Sequence, residues 1–110
     1  MDAGNLAELH ALIEAATRGD AHAQTTLGLA YELGHGVGRD VLQAGHLYRQ
    51  AALAGVARAQ FALGLLYEFG CDREPLPDLA RPWYERAARQ GHDGARLRLA
   101  ALAGECATTH

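Results

Sequence analysis

The chain of 110 residues contains neither serine nor lysine. A serine nucleophile, a lysine Schiff base and the lysine of a phosphate-binding P-loop are therefore excluded. Isoleucine and tryptophan occur once each and phenylalanine twice, so the alternating β-branched and aromatic pattern of strands has little to draw on. Two cysteines, Cys71 and Cys106, are too few for a disulfide framework, and free thiols are expected. No stretch reaches the ~18 apolar residues of a membrane span. No basic segment leads into an apolar run at the N-terminus, and a cytoplasmic protein without a membrane partner is expected. With ten Arg against thirteen acids, the net charge of −3 offers no overall attraction to nucleic acid.

Hydrophobic residues make up 49% of the chain, and much of that fraction is alanine and leucine, both strong helix formers. An all-α protein follows. At this length there is one small core, which removes roughly two thirds of the unfolded surface from water.

The chain also repeats itself. A shift of 36 residues lays "GDAHAQTTLGLAYELG" (19–34) over "GVARAQFALGLLYEFG" (55–70), identical at ten of sixteen positions. Ala44, Tyr48, Ala51, Ala52 and Gly55 fall on Ala80, Tyr84, Ala87, Ala88 and Gly91 in the same register. Ala15, Ala16 and Gly19 continue it upstream, and Ala95 and Leu99 downstream. The register divides the chain into a half-repeat helix (5–18), two repeats (19–54 and 55–90), a second half-repeat helix (91–104) and a tail (105–110). Such a period marks a solenoid, in which each unit buries its apolar face on its neighbours.

Within a unit, Ala23, Leu27, Ala30 and Tyr31 form one helical stripe, and Ala44, Leu47, Tyr48, Ala51 and Ala52 another. These predict helices over about 20–33 and 41–54. Asp40 suits the N-cap of the second and Gly55 its C-terminal stop. The run "GHGVGRD" between them reads as a hairpin whose glycines supply positive-φ turns. No strand precedes it, so it is no phosphate cradle. In the second copy Leu76 replaces Asp40 and Pro75, Pro77 and Pro82 intrude. That helix is expected to start late, near Asp78 to Ala80, with Asp78 as substitute cap. The last helix is expected over 92–103.

The columns Ala21, Ala23, Leu27, Gly28, Tyr31, Gly34, Gly36, Val37, Asp40, Ala44, Tyr48, Ala51, Ala52 and Gly55 resemble the Sel-one-like repeat (SLR) family, relatives of the tetratricopeptide repeat. The period of 36 and the long glycine-rich hairpin favour it over the tetratricopeptide repeat itself. The resemblance covers about residues 5–103. It implies a right-handed α-solenoid of antiparallel helix hairpins, about six helices in all, and an adaptor or scaffold role in complexes or signalling. Some members are linked to cell-wall-related ligands, which leaves a small-molecule binder or hydrolase-like protein as an alternative. Exposed end helices leave a third, a self-associating unit.

Six histidines and two cysteines raise the question of chemistry. His35, Cys71, Asp72 and Cys106 could gather along one edge, but no zinc-type short spacing links them, and neither metal nor cofactor is expected. A Cys71 nucleophile would need a base such as His35. Stacked units lie about 10 Å apart, too far for that hydrogen bond, and no catalytic residue is assigned. His10 and His46 share a column on the second-helix surface, where they are solvated. Arg81, Arg86, Arg89, Arg96 and Arg98 alternate with core positions and read as a solvated face.

First helices of such solenoids line a concave groove. Outside the core stripe they carry His22, Thr25, Leu29 and Glu32, then Arg58, Phe61, Leu65 and Glu68, then Leu97, Arg98 and Ala101. Apolar surface rimmed with charge suits a protein or peptide partner. The same residues also suit a widened core.

Gly28 and Gly64 lie inside helices, where glycine costs about 1 kcal/mol relative to alanine. Close approach of Ala44, Ala51 and Ala52 (and of Ala80, Ala87 and Ala88) would compensate. A larger residue would overpack this contact by about 1–3 kcal/mol. Gly28→Leu is therefore expected to lower the melting temperature, which circular dichroism melts would check.

Overall fold

The computed structural model describes the backbone of residues 3–70 and 73–108, and side chains over 6–70 and 73–104. Six helices follow one another: α1 (Ala3–Thr17), α2 (Ala21–Leu33), α3 (Val41–Leu53), α4 (Ala57–Phe69), α5 (Pro77–Arg89) and α6 (Asp93–Thr108). No strand occurs among the described residues. The chain divides into two compact units, Met1–Val56 with α1 to α3 and Ala57–His110 with α4 to α6.

Local chemistry explains the helix ends. Asp20 and Asp40 accept from the N–H groups of Ala23 and Gln43 at 3.0 and 3.1 Å, each satisfying one donor that the first turn leaves without a partner. Gly34 ends α2 at φ 74°, its N–H donating to the Ala30 carbonyl, and Gly36 follows at φ 79°. Gly38 departs from expectation, since it lies outside the positive-φ region. At the far side of the hairpin the Asp40 N–H donates to the Tyr31 carbonyl at 2.9 Å. The second hairpin closes identically, Leu76 N–H to Tyr67 carbonyl at 2.7 Å, in spite of its prolines.

Two helix ends differ from the sequence reading. α5 starts at Pro77 rather than at Asp78 to Ala80; Leu76 is its N-cap without a side-chain bond, and Asp78 lies in the first turn. Proline at the first helical position has no N–H to satisfy and a preset φ, so it starts the helix by itself. Pro82 lies within the helix on its exposed side. α6 runs to Thr108 instead of stopping at 103. The column that holds Gly34 and Gly70 in the earlier repeats holds Cys106 here, so the positive-φ stop is missing.

The length suggests a single core, whereas the described buried residues form a cluster in each unit. In the first, Ala16, Ala23, Leu27 and Leu47 are buried, with Leu9, Leu12, Ile13 and Tyr31 against them. In the second, Ala80, Tyr84, Ala87, Ala95 and Leu102 are buried, with Ala57, Phe61, Leu65 and Tyr67 packed on them.

The two helical glycines serve a contact other than the expected one. A Cβ on Gly28 would lie 2.8 Å from Tyr48 Cε1, and one on Gly64 2.5 Å from Tyr84 Cε1. The tyrosine ring lies nearest and requires the glycine; the nearest atom of Ala44 is its carbonyl oxygen, at 3.4 Å. Tyr48 and Tyr84 are almost wholly buried. Their hydroxyls donate to Glu32 Oε1 at 2.7 Å and Glu68 Oε1 at 2.6 Å. Each repeat thus holds its hairpin with one glycine, one tyrosine and one glutamate.

Alanine at position 64 would gain about 1 kcal/mol of helix propensity but lose about 1–3 kcal/mol to the ring. Gly64→Ala is expected to lower the unfolding free energy where propensity alone would raise it. In a double-mutant cycle by urea denaturation, the loss should shrink when Tyr84→Leu is present.

Candidate functional site

Of the first-helix residues singled out above, some face solvent and others are built into the units. On α2, His22 is exposed and Leu29 is 48% exposed. Thr25 is buried, its hydroxyl donating to the Ala21 carbonyl at 2.9 Å, so it adds nothing to an open surface. Glu32 is half-buried as the acceptor of the Tyr48 hydroxyl. On α4, Arg58 is exposed. Phe61 is half-buried, stacked on the His92 ring at 4.4 Å between centroids and tilted against Tyr84 at 5.9 Å. Leu65 is half-buried against the core. On α6, Leu97 is 71% exposed and Ala101 half-buried. Phe61 and Leu65 therefore fit the widened core better than an open groove, while His22, Leu29, Arg58 and Leu97 remain open.

Glu68 and Arg98 are committed to each other. Glu68 is buried on α4, and Arg98 reaches it from α6, with Nε donating to Oε1 at 3.0 Å and Nη2 donating to Oε2. The Arg98 guanidinium also lies over the Phe69 ring, 5.2 Å from its centroid. Burial alone would raise the Glu68 pKa, but the Arg98 hydrogen bonds and the Tyr84 hydroxyl outweigh it and hold the carboxyl below its ordinary range. Burial, with the carboxylate beside it, pushes the Tyr84 hydroxyl in the opposite direction, well above its usual value. Tyr84 is thus held neutral and Glu68 ionised.

Two further side chains escaped the sequence reading. His92 occupies the column of Asp20, and its Nδ1 accepts from the Ala95 N–H at 3.1 Å, capping α6. Gln60 accepts from Gln90 at 3.0 Å, tying α4 to the end of α5. The N-cap column could have revealed the first. The repeat sets Gln60 on Gln24 but Gln90 on Ala54, so the periodicity marks one partner of the second and not the other.

The first unit carries an open cleft of ≈ 570 Å³ between α1 and α2, lined by Glu8, Leu9, Leu12, Thr26, Ala30, Gly34, His35 and Gly36. Among the described residues no three His, Cys, Asp or Glu side chains gather around one point that could hold a metal ion. Cys71, Asp72 and the side chain of Cys106 lie outside the described residues, and with them the edge cluster, the thiol nucleophile and any thiol pairing. His10 and His46 are both exposed, as expected. Among the described residues no helix is long and apolar enough to cross a membrane.

Consecutive helix hairpins at a fixed period, each pinned by the same three residues, define an α-solenoid repeat protein. The Sel1 repeat family model matches residues 21–56 and 57–92, and the chain belongs to that family. It is similar to the crystal structure of a Sel1 repeat protein from Oxalobacter formigenes, with 40% identity and a TM-score of 0.80, covering 84% of this chain and 70% of that one. It is also similar to a protective antigen present in uropathogenic Escherichia coli strains, which displays an SLR fold; identity is 36%, the TM-score 0.80 and the cover 83% of this chain. The chain spans 20% of the length of that antigen. Comparison with curated proteins gave no match. Sel1 repeat proteins are generally protein-interaction modules, and the family is generally non-catalytic.

The depressed pKa of Glu68 links its ion pair to stability. A carboxyl whose folded pKa lies below its unfolded value stabilises the fold above the unfolded pKa and ceases to do so as pH falls through the folded one. Against an ordinary value of 4.5, the stabilisation is present at neutral pH and disappears in the acid range below that value. Glu68→Gln is expected to cost roughly 1.5–3 kcal/mol at neutral pH. In denaturant titrations across pH, the difference from wild type should narrow steadily below the ordinary value.

Proposed function

We propose that the chain is a non-catalytic adaptor module that holds a protein or peptide partner on its exposed first-helix residues. The observation that carries this reading is the division of labour along those helices. The two carboxylates on α2 and α4 are spent on structure: Glu32 on Tyr48, and Glu68 on Tyr84 and Arg98. What stays open is Leu29 and His22 on α2, Arg58 on α4 and Leu97 on α6, apolar and polar groups on the first helices. Such surface suits an amphipathic segment, which buries apolar area and meets the charges at its rim. The family's general role as interaction modules supports the same reading.

Phe61→Glu is a poor test, because Phe61 is part of the core and its loss would unsettle the second unit. The exposed positions are better probes. Peptides selected on the wild-type chain from a displayed library should bind Leu29→Glu or Arg58→Glu at least about tenfold more weakly, the loss of a hot-spot contact. They should bind Glu85→Gln, on the exposed side of α5, with unchanged affinity. The reading fails if no peptide is enriched, or if changes on α5 weaken binding while those on α2 and α4 do not.

A further inference from the structure

The cleft between α1 and α2 has a filled counterpart elsewhere in the chain. A shift of 72 residues carries α1 and α2 onto α5 and α6, and takes the lining residues Glu8, Leu12, Thr26 and Ala30 onto Ala80, Tyr84, Arg98 and Leu102. In the second unit α4 covers these positions. Ala80, Tyr84 and Leu102 belong to the cluster on which Phe61, Leu65 and Tyr67 of α4 pack. Tyr84 and Arg98 both bind Glu68 of α4. In the first unit the equivalent positions line an open cleft. The cleft thus has the form of an unfilled seat for a first-type helix.

α6 is a first-type helix, and its residues suit that seat. It follows α4 by 36 residues, so Ala100 and Gly104 stand where α4 has Gly64 and Glu68. Each member of the α4 arrangement is exchanged in step. Leu12 replaces Tyr84 and brings no hydroxyl, Thr26 replaces Arg98 and brings no cation, and Gly104 replaces the carboxylate that both served. Ala100 adds a methyl where Gly64 had to make room for a ring. One such exchange alone would bury a polar group without its partner, whereas all of them together leave none at these positions. The Thr26 hydroxyl already donates to the His22 carbonyl at 3.1 Å and asks nothing of an incoming helix. Glu8, the carboxylate on the lining, is exposed here, but its counterparts in the register, Ala44 and Ala80, are fully covered by a first-type helix. As the Ala44 carbonyl lies 3.4 Å from a Cβ on Gly28, Glu8 would face Ala100, and its carboxylate has to turn to the open edge of the cleft as the helix enters. On α6, Leu97 is 71% exposed and Ala100, Ala103 and Gly104 are exposed as well.

We propose that the α1/α2 cleft receives α6 of a second copy of this chain. The contact joins two different surfaces, so each copy in a dimer keeps one cleft or one α6 free, and association continues head to tail. This inference shares Leu97 with the peptide surface proposed above, but its test rests on Thr26, Ala100 and Ala103, whereas that of the peptide surface rests on Leu29 and Arg58.

Sedimentation equilibrium and light scattering over a concentration series up to the millimolar range provide the test. Wild type should rise in weight-average mass beyond the dimer. Thr26→Arg blocks the cleft and Ala100→Arg the helix; both positions are exposed, and each variant should stay monomeric with an unchanged far-ultraviolet spectrum. An equimolar mixture of the two retains one intact cleft and one intact α6. It should form a dimer and go no further. Ala103→Arg, on the same face of α6, should behave as Ala100→Arg does. The proposal is overturned if wild type stays monomeric throughout, if either arginine variant associates as wild type does, or if the mixture fails to dimerise.

Discussion

A buried tyrosine ring laid on a helical glycine, its hydroxyl donated to a carboxylate one turn further along the same helix, is the constraint on which both units rest. Glycine and glutamate stand four residues apart and so share a face. Together they specify where the ring lies and where its oxygen ends. In the first unit Gly28 and Glu32 receive Tyr48; in the second Gly64 and Glu68 receive Tyr84. A ring without the glycine would clash, and a hydroxyl without the glutamate would lose its carboxylate acceptor. The contact therefore sets both the separation and the rotation of the two helices in a hairpin.

The second unit extends this device. Arg98 takes the remaining acceptor capacity of Glu68, so one carboxylate joins α4, α5 and α6. The charge is stabilised by the same bonds that order the helices. A polar group that in another protein could act on a substrate is here consumed in holding secondary structure together.

Much of this was legible before any coordinates. The 36-residue identity, the Asp40 cap and the glycine stop at position 55 mark the helices and their order. Periodicity names the face that is buried but not the atom that meets it, so the glycines could be placed at a helix contact while the ring pressing on them could not. The start of α5 is ambiguous in the sequence because two signals compete there, and Pro77 at the first helical position prevails over Asp78 as a cap. Phe61 and Arg98 looked like groove residues because their partners, His92 and Glu68, lie some thirty positions away, beyond the reach of any local pattern.

The two hairpins differ in almost every residue, yet both are stitched shut at the base by a main-chain bond, from position 40 to Tyr31 and from position 76 to Tyr67. The donor is a backbone amide, which every residue except proline supplies. The closure at the base therefore does not depend on which side chains form the tip. Lengthening a closed loop costs little conformational entropy, about 0.6 kcal/mol per doubling. Such a tip is a natural port at which new sequence, even an inserted segment with its own binding chemistry, could enter without disturbing the helices beneath it.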